Sequence, residues 1–93
     1  MLDLEWDDAK AADNYRKHGV SFPCAAMAFR DPFGIEWVDD REAYGEVRTI
    51  LLAMADETIL VVVYTERERR IRLISARRAT RYEQDRYFIE NGA

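Results

Sequence analysis

The 93 residues amount to one domain's worth of chain, and at that size folding removes only about 60–65% of the extended chain's surface from water, so no large core and no second domain are expected. Eighteen Asp and Glu against fourteen Lys and Arg give a formal charge of −4, which on average disfavours a nucleic-acid ligand. A lone Cys24 excludes an internal disulfide, no basic segment leads into a long apolar run at the start, and the most apolar stretch, around residues 59–63, is far short of the roughly 18 residues of a membrane span; a reduced, cytoplasmic protein with no membrane partner is expected.

Leu2, Leu4 and Trp6 alternate with Asp3 and Glu5, the pattern of a short strand with one exposed face. Asp7 or Asp8 then caps a first helix. On it Ala9, Ala12 and Tyr15 share a face at helical spacing, Lys10, Asn14, Lys17 and His18 lie round the other sides, and Gly19 suits the left-handed residue that ends it. Ser21 to Phe29 reads as a second, short helix with Ala25, Ala26 and Phe29 turned inward, stopped by Asp31-Pro32. Phe33 to Val38, Val47 to Met54, Thr58 to Thr65 and Ile71 to Ser75 are rich in β-branched and aromatic residues between polar turns, which predicts an antiparallel meander. The central two are apolar on both faces, so something must cover each side of the sheet. Thr80-Arg81-Tyr82-Glu83 has the form of a capping box, opening a terminal helix with Tyr82, Arg86 and Ile89 on one face. The expected fold class is α+β: a small antiparallel sheet with two N-terminal helices and a C-terminal helix, one domain over residues 1–93. Trp6, Phe22, Phe29 and Trp37 read as core, and Cys24 as a small buried apolar residue.

The charge is unevenly spread. Residues 1–65 carry thirteen acids against six Lys or Arg, net −7, whereas residues 66–86 carry eight arginines against four acids, net +4. Charges more than a Debye length of about 8–10 Å apart are largely screened from each other, so a basic patch on an acidic body can still attract RNA or an acidic partner. Metal-independent RNA cleavage needs a base for the ribose hydroxyl, an acid for the leaving oxygen and positive charge around the phosphorus. An imidazole suits either proton step, and His18 is the only histidine. Arginine keeps its charge and presents a fork that fits phosphate oxygens, so Arg48, Arg72, Arg77, Arg78 and Arg81 are candidates for binding and transition-state stabilisation. Lys17 is a further phosphate contact, and Glu83 or Glu46 is a candidate second proton carrier.

Each candidate has a structural alternative. His18 precedes a capping glycine, where a cation complements the helix dipole. Arg72 lies among apolar Ile71, Leu73 and Ile74 and must either pair with an acid or bind phosphate. Arg77 and Arg78 lie before a helix N-terminus, a place where backbone N–H groups hold anions. Arg81 has the wrong sign for the first turn of a helix, which argues for a task other than helix stability. Glu83 already serves as the capping-box acid. Arg67, Arg69 and Arg70, among Glu66 and Glu68, read as a solvated charge run outside the site. Tyr82 and Tyr87 either stack on bases or pack the helix. One histidine and one cysteine offer no metal-ligand spacing, so neither metal nor cofactor is expected.

Trp6-Asp7, Lys10, Asn14, Lys17-His18-Gly19-Val20, Phe22, Phe29-Arg30-Asp31-Pro32, Glu46-Val47-Arg48, Tyr64-Thr65 and Ile71 through Arg78 with Ala79, Glu83 and Tyr87 together resemble the BrnT toxin family, in order and nearly end to end. The resemblance implies a RelE-like fold, ribonuclease activity that inhibits translation and halts growth, and a BrnA antitoxin. That antitoxin blocks the toxin in a tight hetero-oligomer and carries the DNA-binding element of autoregulation, so DNA is met only indirectly. The same arginines then serve substrate and inhibitor. Ala53, where the family usually has glycine, and Val47, where a polar residue is common, depart from the pattern. Taken with the chemistry above, His18, Arg48, Arg77 and Arg78 are the catalytic candidates and Lys17, Arg72 and Arg81 the RNA-binding ones. The competing readings are a non-catalytic interaction domain that acts with a DNA-binding partner in transcriptional regulation, and a toxin that has lost activity but keeps its partner.

Overall fold

A computed structural model describes residues 3–41, 43 and 45–92. In chain order these form β1 (Asp3–Glu5), α1 (Asp8–His18), α2 (Phe22–Ala26) with a 3-10 segment (Met27–Arg30), β2 (Ile35–Asp39), β3 (Arg48–Ala55), β4 (Thr58–Arg67), β5 (Arg70–Arg78) and α3 (Arg81–Glu90). The α+β class and the helix order agree with the sequence reading, while the sheet is mixed and not wholly antiparallel. Its five strands run β1-β5-β4-β3-β2. Strands β2 to β5 are the expected meander, and β1 lies parallel to β5 with Leu4 opposite Ile71. A tight hairpin forces antiparallel pairing, but α1 and α2 separate β1 from the next strand and leave its direction free. Leu2, which the alternation assigned to this strand, lies outside the described residues.

Asp7 caps α1 by accepting from the N–H groups of Ala9 (2.8 Å) and Lys10 (3.4 Å), and Gly19, at φ 69°, closes it by donating to the Tyr15 carbonyl. The face that Ala9, Ala12 and Tyr15 share is not the one that packs on the sheet. Ala9, Ala12 and Tyr15 are exposed, and Asn14 is buried beside half-buried Ala11. The cause is the edge of β5, which β1 covers only at residues 70–72. Further along, the Asn14 amide donates to the Ala76 carbonyl (2.8 Å) and accepts from the Ala76 N–H (3.1 Å), pairing with the strand as another peptide would. It also donates to the Val20 carbonyl at 3.0 Å. Satisfying a buried strand edge outweighs burying two alanine methyls, because an orphaned backbone group costs about 1–3 kcal/mol.

Two apolar layers sandwich the sheet. One face packs Leu51, Leu60, Val62, Tyr64 and Leu73 under Val20, Phe22, Ala25 and Ala28. Trp6 meets Phe22 edge-on at 5.9 Å and Phe29 meets Tyr64 at 5.1 Å. The helix expected over residues 21–29 tightens into the 3-10 segment after Ala26, which makes Ala28 the buried position. Ala53 is fully buried in the regular β3 ladder, so its departure from the family pattern leaves the strand undisturbed.

The opposite face, with Ile50, Leu52, Ile59 and Val61, is covered in part by α3 through Tyr87. The capping box forms: Thr80 Oγ1 accepts from the Glu83 N–H at 3.2 Å and the Glu83 carboxylate accepts from the Thr80 N–H at 2.8 Å. The face with Tyr82 and Ile89 is again not the one that packs, since both are exposed, and a different stripe turns inward. The stripe is polar and runs every fourth residue. Glu83 holds Arg77, the Tyr87 hydroxyl donates to Asp31 at 2.5 Å, and the Asn91 amide donates to the Phe33 carbonyl at 3.0 Å. Burial and the bond to Asp31 push the Tyr87 hydroxyl up to about 12. Burial alone would raise the Asp31 carboxyl, but donation from Tyr87 and from the Met54 and Phe33 N–H groups outweighs it and holds the group low.

Both hairpin turns place ordinary residues in the left-handed region, Asp56 and Glu57 (φ 48° and 66°) and Glu68 and Arg69 (φ 50° and 69°). Positive φ at both central residues matches the twist of paired strands but favours Asn-Gly, so these turns carry local strain. Among the described residues no helix is long and apolar enough to cross a membrane.

Candidate active site

Because α3 covers only part of its face, two adjoining clefts remain open. The larger, of about 420 Å³, is lined by His18, Trp37, Arg41, Ile50, Val61, Val63, Ser75, Arg77 and Glu83. The second, of about 330 Å³, is lined by Lys10, Asp13, Asn14, Lys17, His18, Arg48, Ile74 and Ser75. His18 and Ser75 belong to both. Strand register explains the grouping: Ile50 pairs with Val63 and Val63 with Ser75, which brings one residue from each central strand side by side. Asn14 fixes α1 against β5, so the last residue of the helix, His18, is carried to the strand edge beside Ser75.

Arg77 reaches the larger cleft with its fork already engaged. Its two terminal nitrogens donate to the two Glu83 oxygens at 2.8 and 2.9 Å. The Arg77 hydrogen bonds, opposed by burial and aided by the Thr80 N–H, bring the Glu83 carboxyl down to about 2. The same pair raises the Arg77 guanidinium, against burial and the repulsion of nearby Arg41. Glu83 is therefore a carboxylate at any ordinary pH, and it anchors Arg77 instead of holding a transferable proton. Arg41 is itself oriented by Asp39, donating through Nε at 2.8 Å and a terminal nitrogen at 2.9 Å. The Asp39 side chain is almost wholly buried, which makes this a rigid mount for an exposed guanidinium.

In the second cleft Lys17 pairs with Asp13 at 3.0 Å, and Asp13 also pairs with Arg16. The Lys17 hydrogen bond, against desolvation, holds the Asp13 carboxyl low. Arg48 lies 3.4 Å from Glu46, which also takes a bond from Arg67 at 3.1 Å. Arg67 first and Arg48 second lower the Glu46 carboxyl, so this second proton-carrier candidate is also held ionised.

The remaining candidates lie outside both clefts. Arg72 donates to Glu5, its register partner on β1, at 2.8 Å, which realises the ion pair its apolar neighbours demanded. Arg78 ends β5 on the exposed surface. Arg81 pairs with Asp85 one turn on at 3.2 Å, an ordinary helix-surface contact that accounts for its place near an N-terminus. The arginine-rich third is thus less positive than its sequence: Arg67, Arg70, Arg72, Arg77, Arg81 and Arg86 all face acids. Conversely, Trp37, read as core, is half-buried and lines the larger cleft, with the Arg86 guanidinium 4.2 Å over its ring. Ser75 and Arg41 also line it and were missed. The signal for Ser75 was available, since a residue two before Arg77 in one strand shares its face. Among the described residues no three His, Cys, Asp or Glu side chains converge as metal ligands would.

The structure thus places the His18 imidazole between the guanidinium groups of one cleft and the mixed cations of the other, beside the open face of a small mixed sheet. The family model described as ribonuclease toxin, BrnT, of type II toxin-antitoxin system matches residues 6–83, and the chain belongs to that family. The chain is accordingly a toxin of the ribonuclease class, with an antitoxin as its partner. The matched span contains every candidate site residue from Lys17 to Glu83. No curated protein matches the chain.

Proposed function

We propose that the chain is a metal-independent endoribonuclease whose activity inhibits translation and growth, and that a BrnA-like antitoxin neutralises it in a cytoplasmic hetero-oligomer that meets DNA through the antitoxin. The observation that carries the reading is that His18 forms the shared wall of a cleft holding Arg41 and Arg77 and a cleft holding Lys10, Lys17 and Arg48. A phosphodiester lying across that wall has cations on both sides and one imidazole at the reacting atoms. The ribose 2′-oxygen bonds to phosphorus while the bond to the 5′-oxygen breaks, leaving a 2′,3′-cyclic phosphate and a 5′-hydroxyl. His18 takes the 2′-proton or protonates the leaving oxygen, and water serves the other end; Glu83 and Asp13, carboxylates engaged by Arg77 and Lys17, carry no proton to give the leaving oxygen. Arg77, mounted on Glu83, and Arg48 stabilise the charge that builds on the phosphoryl oxygens. Lys17 and Arg78 are assigned to steering the strand, while Arg72 and Arg81, the other RNA-binding candidates, are engaged by Glu5 and Asp85.

The test is cleavage of total cellular RNA by the purified, partner-free protein in EDTA. The parent is expected to cut, and His18→Ala, shown by circular dichroism to be folded, to lose roughly 100-fold or more of the rate. A parent inert on free RNA and on ribosomes, and harmless when expressed without its antitoxin, refutes the enzyme and leaves the interaction domain.

A further inference from the structure

We propose that the larger cleft is a nucleobase pocket in which Trp37 receives the base next to the cut, so that the substrate is single-stranded RNA; the inference rests on the ribonuclease reading above and deepens it. The two clefts differ in chemistry. The one holding Lys10, Asp13, Asn14, Lys17 and Arg48 has the charged walls that a phosphate backbone needs. The other sets Arg41, Arg77 and Glu83 against Trp37, Ile50, Val61 and Val63, an apolar wall for which a phosphate alone has no use. Ile50 and Val61 are buried, and the apolar surface that Trp37 and Val63 leave open in the cleft stabilises a flat, weakly hydrated group that covers it, such as a base joined to the reacting phosphate. The cleft's volume of about 420 Å³ lies within the roughly 300–1,000 Å³ of small-ligand sites.

Trp37 is the residue best suited to the contact. It is half-buried, and the guanidinium of Arg86, tied to Glu90 at 2.5 Å, braces its ring at 4.2 Å. The Ser75 hydroxyl and the Arg41 guanidinium line the same cleft and can meet the polar edge of a base. A paired base in a duplex is stacked on its neighbours and cannot enter, so the pocket selects unpaired RNA. His18 and Ser75, common to both clefts, then lie where base and backbone part company, which is where the reacting phosphate belongs.

The experiment reads Trp37 directly. In a Trp6→Phe protein Trp37 is the only tryptophan, and Trp6 is replaced by a ring that keeps its edge contact with Phe22. A short 2′-O-methyl oligoribonucleotide, which lacks the attacking hydroxyl, is expected to quench Trp37 fluorescence. Inorganic phosphate and an abasic oligomer of the same length are expected not to. In cleavage of unpaired RNA, Trp37→Ala should lower kcat/KM by roughly 5- to 150-fold, the range that loss of one base stack supplies, and Trp37→Phe should restore most of it. Equal quenching by the abasic oligomer overturns the proposal. So does a parent that cuts RNA with no quenching, an outcome that keeps the ribonuclease reading and hands the apolar wall to the antitoxin. Base-dependent quenching in a protein that cuts nothing upholds the pocket and removes the ribonuclease.

Discussion

The two faces of the sheet are made by alternate residues of the same strands, yet one is closed and the other is half open. On the closed face Leu51, Leu60, Val62 and Leu73 meet apolar residues of α2 and of the segments around it, and burial is nearly complete. On the open face α3 brings one buried side chain, Tyr87, whose hydroxyl bonds to Asp31, and otherwise attaches by polar anchors, Glu83 to Arg77 and the capping Asn91 to Phe33. The difference teaches how a chain with a modest core accommodates a site. Apolar packing is concentrated where no chemistry is needed, and the covering of the other face is held by directional bonds that leave a gap beside them. His18 joins the two arrangements, since it sits at the end of a closed-side helix and faces the open side.

That contrast can be broken from either layer. The largest stability effect is expected at Asn14→Ala, which leaves the Ala76 N–H and carbonyl without their partner and should cost about 2–4 kcal/mol in denaturant unfolding. It should also loosen α1 from β5 and reduce RNA cleavage even under conditions where the protein stays folded. A variant that unfolds more easily yet cuts normally would show that α1 does not position His18.

Glu83→Gln tests the open-side anchor. The Glu83 carboxyl stands at about 2 in the folded chain against an ordinary value of 4.5, so its contribution is complete above about pH 4.5 and is lost as pH falls towards 2. The full shift corresponds to about 3 kcal/mol, and with Arg77 partly open to solvent about 1–2 kcal/mol is expected. The amide should therefore be less stable than the parent at pH 7, and the two should converge near pH 2. Persistence of the gap at pH 2 would mean that the lost term is packing, not charge. The smallest effect is expected away from both layers, at Glu57→Gly, where glycine relieves a left-handed residue and should stabilise by about 0.5–1 kcal/mol without changing cleavage.

Legibility in the sequence followed the range of the forces involved. Caps, the capping box, the Gly19 terminator and the antiparallel meander depend on neighbours within a few residues and were readable directly. The inward faces of α1 and α3 were not legible, for one shared reason. Both helices are held by polar side chains, Asn14 on one and Glu83, Tyr87 and Asn91 on the other, and a search for apolar periodicity passes over amides and carboxylates. In the same way Arg72 was recognised as a group needing a partner, but the partner lies on β1, and the acid that engages Arg77 lies on α3.

By itself the sequence determined the α+β class, the strand and helix boundaries to within a few residues, the lone histidine and, through ordered residues along most of its length, the family. Those are local propensities and residue identities, which do not change when the chain folds. Only the tertiary structure decided which arginines are spent on acids, that β1 runs parallel to β5, that Trp37 faces a cleft, and that His18 stands between a cleft holding Arg41 and Arg77 and one holding Lys10, Lys17 and Arg48. These depend on contacts across dozens of residues, fixed by strand register and by the few side-chain bonds that dock α1 and α3.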